Sequence, residues 1–261
     1  METHFLYAIP IPLLFGATLL VGLAAIEAGR RLGVYRRKSG GESPGPVGSA
    51  VGATLGLLAF ILAFTFGIAA SRYDARKQLV VDEANAIGTC FLRTDFLPEA
   101  QRTEARRLLS EYVALRADVE NFTGERLEPT LARAARIQTE LWGLAAATGN
   151  AQPSPMTALF TASLNEVIDI HEERVTKGIT NRIPGPLWGL LYLVAALAMV
   201  SVGYQFGLDA DRRSIGAIFL AVTFSTVLVT IADLDDGAKG VLRCCVHGHS
   251  GVTAAHLRPH G

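Results

Sequence analysis

The chain has 261 residues, of which 50% are hydrophobic and 18% are charged, and its formal net charge is zero. Soluble globular domains usually carry about a quarter charged residues, so this composition is not that of an ordinary soluble domain. The balanced charge provides no basic face for nucleic acid, and we expect no such partner. The cysteines, Cys90, Cys244 and Cys245, provide no disulfide framework and no spacing typical of a metal site.

Four stretches contain no Asp, Glu, Lys or Arg: residues 4–26, 43–71, 183–208 and 214–232. A helix needs roughly 20 apolar residues to cross the hydrocarbon core of a bilayer, and its backbone must satisfy its own hydrogen bonds there. The predicted fold class is therefore an all-α integral membrane protein with four transmembrane helices. The first stretch lacks the basic start of a signal peptide, so we interpret it as a retained helix.

The first two stretches predict a transmembrane hairpin over residues 1–71, with helices at about 6–27 and 47–71. Five basic residues followed by the turn-rich sequence SGGESPGP predict a loop between them. These basic residues are Arg30, Arg31, Arg36, Arg37 and Lys38.

The second transmembrane helix contains two patterns at four-residue spacing. The first consists of Gly48, Gly52 and Gly56. Small residues so spaced allow close helix packing, within or between subunits, and Gly203 and Gly207 repeat the pattern in the third helix. The second pattern consists of Phe60, Phe64 and Ile68. These side chains could form a hydrophobic constriction that gates a pore by dewetting, and packing or lipid contact is the alternative.

Residues 72–182 predict a helical extramembrane domain, because apolar residues recur there at helical spacing between charges. The predicted breaks are Pro98, Thr123–Gly124 and the sequence GNAQPSP. We expect long helices, continuous with the second and third transmembrane helices, to lead into and out of this domain.

Two polar stripes lie beside the membrane ends of the domain. On a helix with about 100° per residue, VVDEANAIGT places Asp82, Asn85 and Thr89 in one arc. The sequence LNEVIDIHEERV likewise aligns Asn165, Asp169 and Glu172. The stripes predict either a solvated face with inter-helix hydrogen bonds or a polar vestibule below a pore.

No constellation of nucleophile, base and metal ligands accompanies these stripes, so we predict no enzyme activity, catalytic residue, metal or cofactor. His171 lies on the apolar face of its helix, where a hydrogen-bonded core histidine is a commoner role than a metal ligand or proton switch.

Residues 183–235 predict the second hairpin, with helices at about 186–207 and 214–232. Pro184 and Pro186 suit the first turn of the third helix. The absence of an ionisable side chain mid-membrane disfavours ion-coupled transport but not a channel. Residues 236–261, with four of the six histidines, predict a disordered tail.

With SRYDARKQL before VVDEANAIGT, then LNEVIDIHEERV, RIPGPLWGLLYL and IADLD, the chain resembles the bestrophin-like family of bacterial membrane proteins over about residues 6–235. The resemblance implies kinship with bestrophin anion channels, and hence a helical domain between the second and third membrane helices and a pore lined by the second. No ion-binding residue is carried over. After Asp235 the chain departs from the family's basic and Gln-rich pattern.

The predicted function is therefore a homo-oligomeric ion (anion) channel, multi-pass in the inner (plasma) membrane, with lipid and small inorganic ions as partners. The alternative is a non-conducting scaffold or signalling protein whose helical domain binds a partner. Orientation also has two readings. The basic segment after the first helix and Arg212–Arg213 favour the cytoplasm and place the helical domain outside, whereas the resemblance places that domain in the cytoplasm.

Overall fold

The structure, a computed structural model, describes residues 9–39, 44–119, 127–179, 183–209 and 215–236. Every regular element in these ranges is helical, which confirms the all-α class. The α-helices are α1 (Ile11–Lys38), α2 (Pro44–Arg93), α3 (Glu99–Val119), α4 (Leu127–Ala151), α5 (Pro155–Ile179), α6 (Gly185–Leu208) and α7 (Ile215–Asp236). A short 3₁₀ helix, Thr94–Phe96, follows α2.

The described residues divide into two compact units. Unit 1 contains those within Met1–Tyr73 and Arg182–Leu242, and unit 2 contains those within Asp74–Asn181. In the part of the chain that the structure describes, four helices are long and apolar enough to cross a membrane, namely α1, α2, α6 and α7. Both the break at Thr123–Gly124 and the predicted tail, apart from Asp236, lie outside the described residues.

The helix α2 is one uninterrupted helix of 50 residues. At 1.5 Å per residue it is about 75 Å long, more than twice the roughly 30 Å of a bilayer core. The expected continuity of the second transmembrane helix with the following domain is therefore confirmed. Its last turns, together with α3, α4 and α5, surround the core of unit 2, whose largest fully buried side chains include Tyr112, Phe160, Leu108 and Ile137.

On the return side the expected continuity is wrong. The helix α5 ends at Ile179, and α6 begins only at Gly185. Pro184 precedes α6 with φ −57° and ψ 139°, outside the helical region. A proline disfavours helical backbone in the residue before it. Because Pro184 exerts this restriction on Ile183, which is not helical, a new helix starts only after it.

The basic segment after the first apolar stretch is also helical, where the sequence predicted a loop. The helix α1 continues through it to Lys38. Arginine, leucine and lysine are good helix formers, and Glu27 pairs with Arg30 and Arg31 one turn ahead. The segment contains no proline, so α1 ends only at Lys38.

Four glycines hold α1 and α6 at backbone contact within unit 1. A Cβ atom on Gly203 would overlap the carbonyl oxygen of Ile26, and one on Gly29 would overlap the carbonyl oxygen of Val200. Gly33 and Gly207 meet in the same way one turn further along. The close packing predicted for Gly203 and Gly207 is thus present, and its partner is a second four-residue glycine pattern in α1.

Candidate functional site

The proposed constriction residues lie on α2 with their side chains uncovered in the single chain. Phe60 is 63% exposed, Phe64 is 64% exposed and Ile68 is 44% exposed. The rings of Phe60 and Phe64 contact each other, with centroids 5.6 Å apart. On the other side of the same helix, Leu58 and Leu62 are buried in the core of unit 1. Phe60, Phe64 and Ile68 therefore lie outside the hydrophobic core of unit 1.

The three glycines at the start of α2 have different surroundings. Gly48 faces the side-chain amide of Gln205, whose nitrogen would lie 3.0 Å from an added Cβ. No atom of the described chain lies within 4 Å of a Cβ placed on Gly52 or Gly56. In the described part of the chain nothing packs closely against these two positions.

The first polar stripe occupies the last turns of α2. Asp82 is partly buried and accepts a hydrogen bond from the Gln78 amide at 2.9 Å. Asn85 is exposed, and Thr89 is partly buried. The bond between Gln78 and Asp82 joins neighbouring turns of one helix, so it does not fix α2 against another element.

The second polar stripe lies on α5 and is equally local. The Asn165 amide donates to Asp169 at 2.8 Å, and Glu172 is exposed. Among the described residues no hydrogen bond joins this stripe to Asp82, Asn85 or Thr89. Hydrogen bonding in the described single chain therefore does not link the two stripes into one site.

A buried polar network that the sequence did not single out lies in the core of unit 2. Its centre is the carboxylate of Glu83 on α2, which is 2% exposed. Arg116 Nε lies 2.9 Å from one oxygen of this carboxylate, and Arg174 pairs with the other. Two guanidinium groups thus offset the cost of burying the negative charge.

Tyr112 connects Glu83 to His171. Its hydroxyl donates to Glu83 Oε1 at 2.9 Å and lies 3.1 Å from His171 Nδ1, while the Gln138 amide donates to it at 3.4 Å. Since the single hydroxyl proton goes to the carboxylate, we infer that His171 Nδ1 carries a proton and donates. The interpretation of His171 as a hydrogen-bonded core histidine is confirmed.

The surroundings shift the pKa values of His171 and Tyr112 away from their ordinary values. Burial lowers the pKa of His171, and the positive charge of Arg116 lowers it further. Burial raises the pKa of Tyr112, and the negative charge of Glu83 adds to this effect. Both groups are therefore neutral at physiological pH. The network consists of one buried ion cluster, formed by Glu83, Arg116 and Arg174, and neutral side chains hydrogen-bonded to it.

We expect acid to weaken unit 2 through His171. Because its pKa is lowered in the folded state, the unfolded chain binds more protons below about pH 6.5. The contribution of His171 to the free energy of unfolding is then constant above this pH. Below it, the contribution falls by at most about 1.4 kcal/mol per pH unit. Urea unfolding of the full chain in detergent between pH 7.5 and 5 measures the slope, and His171→Gln should flatten it. Equal slopes for the two proteins would contradict the expectation.

A signal for this network was present in the sequence. Glu83 lies four residues from Leu79 and Ile87, in the middle of an apolar face, and both Leu79 and Ile87 are buried. Arg116 likewise follows Tyr112 by four residues, and Arg174 follows His171 by three. Charged residues at core spacing on three helices predict a buried ion cluster, whereas the polar arc considered above contains the neighbouring, partly buried Asp82.

A second buried carboxylate lies in unit 1, where it connects the end of α7 to the residue before Pro184. Asp235, near the end of α7, is 1% exposed and accepts from the backbone nitrogen of Ile183 at 3.0 and 3.2 Å. Arg72 Nη1 lies 3.9 Å from it. Asp235 thereby satisfies a backbone donor just before α6 begins, which gives the IADLD motif a structural role. In the described ranges no group of three or more His, Cys, Asp and Glu side chains is placed to hold a metal ion.

The long apolar helices in the described part of the chain are those of a helical membrane protein. The chain belongs to the bestrophin-like family, because the family profile described as a bestrophin-like domain matches residues 16–243. No curated protein matches the sequence significantly.

Solved structures share the fold. One variant of a bacterial bestrophin homologue from Klebsiella pneumoniae is 16% identical, with a TM-score of 0.66 over 95% of this chain and 97% of the other. Another variant from K. pneumoniae is 17% identical, with a TM-score of 0.66, and the match covers 95% of this chain and 97% of the other. A protein described as a membrane protein is 17% identical, with a TM-score of 0.67, and the match covers 95% of this chain and 96% of the other.

Proposed function

We propose that the protein is an ion channel, multi-pass in the inner membrane, in which α2 from each chain of a homo-oligomer lines a central pore. The observation that carries this proposal is the uncovered stripe of Phe60, Phe64 and Ile68 on a helix whose other face is buried. Four membrane helices of one chain do not enclose a pore by themselves. Symmetric copies that place this stripe around an axis would form a hydrophobic ring of the kind that gates by dewetting.

The polar stripe of α2 supports the same arrangement. On an ideal helix Asp82, Asn85 and Thr89 share one arc. In the proposed oligomer, symmetric copies of this arc would form rings of polar side chains. The family resemblance favours anions, whereas a ring of Asp82 carboxylates would attract cations. Reversal potentials in chloride, sodium and potassium gradients distinguish these selectivities.

The decisive experiment is single-channel recording of the purified protein in planar bilayers. We expect unitary currents, and we expect the double variant Phe60→Ala and Phe64→Ala to open for a larger fraction of the time, because a wider and less apolar constriction stays wet. Phe66→Ala is the matched control, since Phe66 is 41% exposed on the same helix but lies about 120° from the stripe. Consistent absence of current in every gradient would favour a non-conducting scaffold, and equal effects of both variants would refute the assignment of the constriction.

Assembly is tested at Gly52. Because no described atom lies within 4 Å of a Cβ placed there, Gly52→Leu is compatible with the folded chain. If neighbouring chains approach at this position, a leucine side chain prevents close packing and lowers the oligomeric mass. Light scattering of the detergent-solubilised protein measures that mass. Gly16→Leu in α1, which also has open space, is the control. Identical masses for wild type and Gly52→Leu would show that the interface lies elsewhere.

A further inference from the structure

The C-terminal turns of α1 combine five cations with exposed apolar side chains. We call residues 30–38 the basic turn. Its cations are Arg30, Arg31, Arg36, Arg37 and Lys38. Between them, Leu32 is 50% exposed and Tyr35 is 68% exposed. Cationic and exposed apolar side chains thus alternate around the last turns of one helix.

Most of this positive charge is not neutralised within the described part of the chain. Glu27 is the acidic partner of both Arg30, at 2.8 Å, and Arg31, at 3.0 Å. Arg36, Arg37 and Lys38 are exposed and have no acidic partner in the ranges that the structure describes. One carboxylate therefore serves two guanidinium groups, and three further cations are available to an external anion.

The length of α1 places the basic turn at the membrane surface. The helix has 28 residues and is therefore about 42 Å long, whereas the hydrocarbon core is roughly 30 Å thick. Residues 11–26 are uncharged, so the excess length falls at the basic end. Tyrosine is enriched at the boundary between hydrocarbon and water, and long cationic side chains extend towards headgroups while their stems remain on apolar surface.

Packing within unit 1 fixes the position of this end of the helix. Gly33 lies against the backbone of Tyr204 and Leu208. The helix α6 ends at Leu208, so the following turn of α1 projects past the end of its partner. The cations are thus carried on a rigid helix at a defined height.

We propose that the basic turn binds the phosphate groups of anionic phospholipids, with Leu32 and Tyr35 against their acyl chains. Arginine guanidinium groups bind phosphate through paired N–H donors, and clusters of Lys and Arg beside a membrane helix attract anionic lipid headgroups. The apolar residues between the cations favour a lipid over a free phosphate ion. This binding does not depend on ion conduction.

Contact quenching in vesicles tests the proposal. Ser39→Cys is labelled with bimane in a full-length background in which Cys90, Cys244 and Cys245 are replaced. The vesicles contain nitroxide phosphatidylglycerol or nitroxide phosphatidylcholine at the same mole fraction. We expect the anionic lipid to quench about threefold more strongly, and the variant with Arg36, Arg37 and Lys38 all changed to Gln to show equal quenching by both lipids.

The controls separate a local site from general attraction and from folding. Changing Arg102, Arg107 and Arg136 to Gln removes the same charge from unit 2 and should preserve the preference. The variants Arg36→Lys and Arg37→Lys should largely retain it, and circular dichroism checks that each protein is folded. Equal quenching in the wild type, or a preference that survives the triple Gln change, overturns the proposal. Abolition of the preference by inorganic phosphate, but not by chloride at the same ionic strength, would also overturn it by identifying a site for free phosphate.

Discussion

Replacing Glu83 with alanine is expected to destabilise unit 2 by about 3–5 kcal/mol. The change leaves Arg116 and Arg174 facing each other without the carboxylate between them, and the Arg116 side chain is only 7% exposed. It also removes the acceptor of the Tyr112 hydroxyl proton. Isolated positive charge in a protein core costs several kcal/mol, which is a large part of the total stability of a domain.

Hydrogen exchange of the full chain in detergent measures this effect where it should occur, in peptides from α3 and α5. Asp82→Asn is the matched control, because Asp82 is the adjacent carboxylate and its only described bond is to Gln78 on the same helix. We expect the control to change stability by no more than a few tenths of a kcal/mol. Replacing Glu83, Arg116 and Arg174 together with methionine should restore much of the protection, since apolar side chains of similar size need no charge partner. Equal exchange in Glu83→Ala and Asp82→Asn would contradict the assigned role.

The sequence predicts the bounds of the apolar helices α6 and α7 closely because their cause is local. A charge-free stretch of sufficient length has few alternatives to a membrane or core helix, so α6 and α7 begin and end within a few residues of the prediction. The sequence predicted the end of α1 too early, at about residue 27 instead of Lys38, and the reason is also physical. Five basic residues resemble a solvated loop in composition, but Arg and Lys have high helix propensity, and the nearest helix-breaking residues lie beyond Lys38.

The network around Glu83 shows what sequence patterns leave out. The spacing of Glu83 from Leu79 and Ile87 indicates the core face of α2, but it does not identify the partners of a buried carboxylate. Those partners are distant in the sequence, because Arg116 and Arg174 follow Glu83 by 33 and 91 residues. The constriction and the glycine interface depend on other copies of the chain, so Phe60, Phe64, Gly52 and Gly56 remain predictions for the assembly.

The crossing of α1 and α6 should be the most sterically sensitive place in unit 1. Gly203→Ala is expected to destabilise the protein by about 1–3 kcal/mol, or to prevent its folding, because the new Cβ would overlap the carbonyl oxygen of Ile26. The opposing atoms belong to backbone, so no side chain can rotate away, and the two helices must separate. Such a separation would also disturb Gly29, Gly33 and Gly207, which make the same kind of contact.

The control for this substitution lies on the same helix. Gly189 is exposed and has no described atom within 4 Å of an added Cβ. Alanine is a better helix former than glycine by roughly 0.5–1 kcal/mol, so Gly189→Ala should leave stability unchanged or raise it. Unfolding of the purified proteins in mixed detergent and SDS, followed by circular dichroism, compares the two variants directly. The expected shifts have opposite signs. If Gly203→Ala unfolds at the same SDS fraction as Gly189→Ala, the two helices do not approach to backbone contact, and the glycines of α1 and α6 need another explanation.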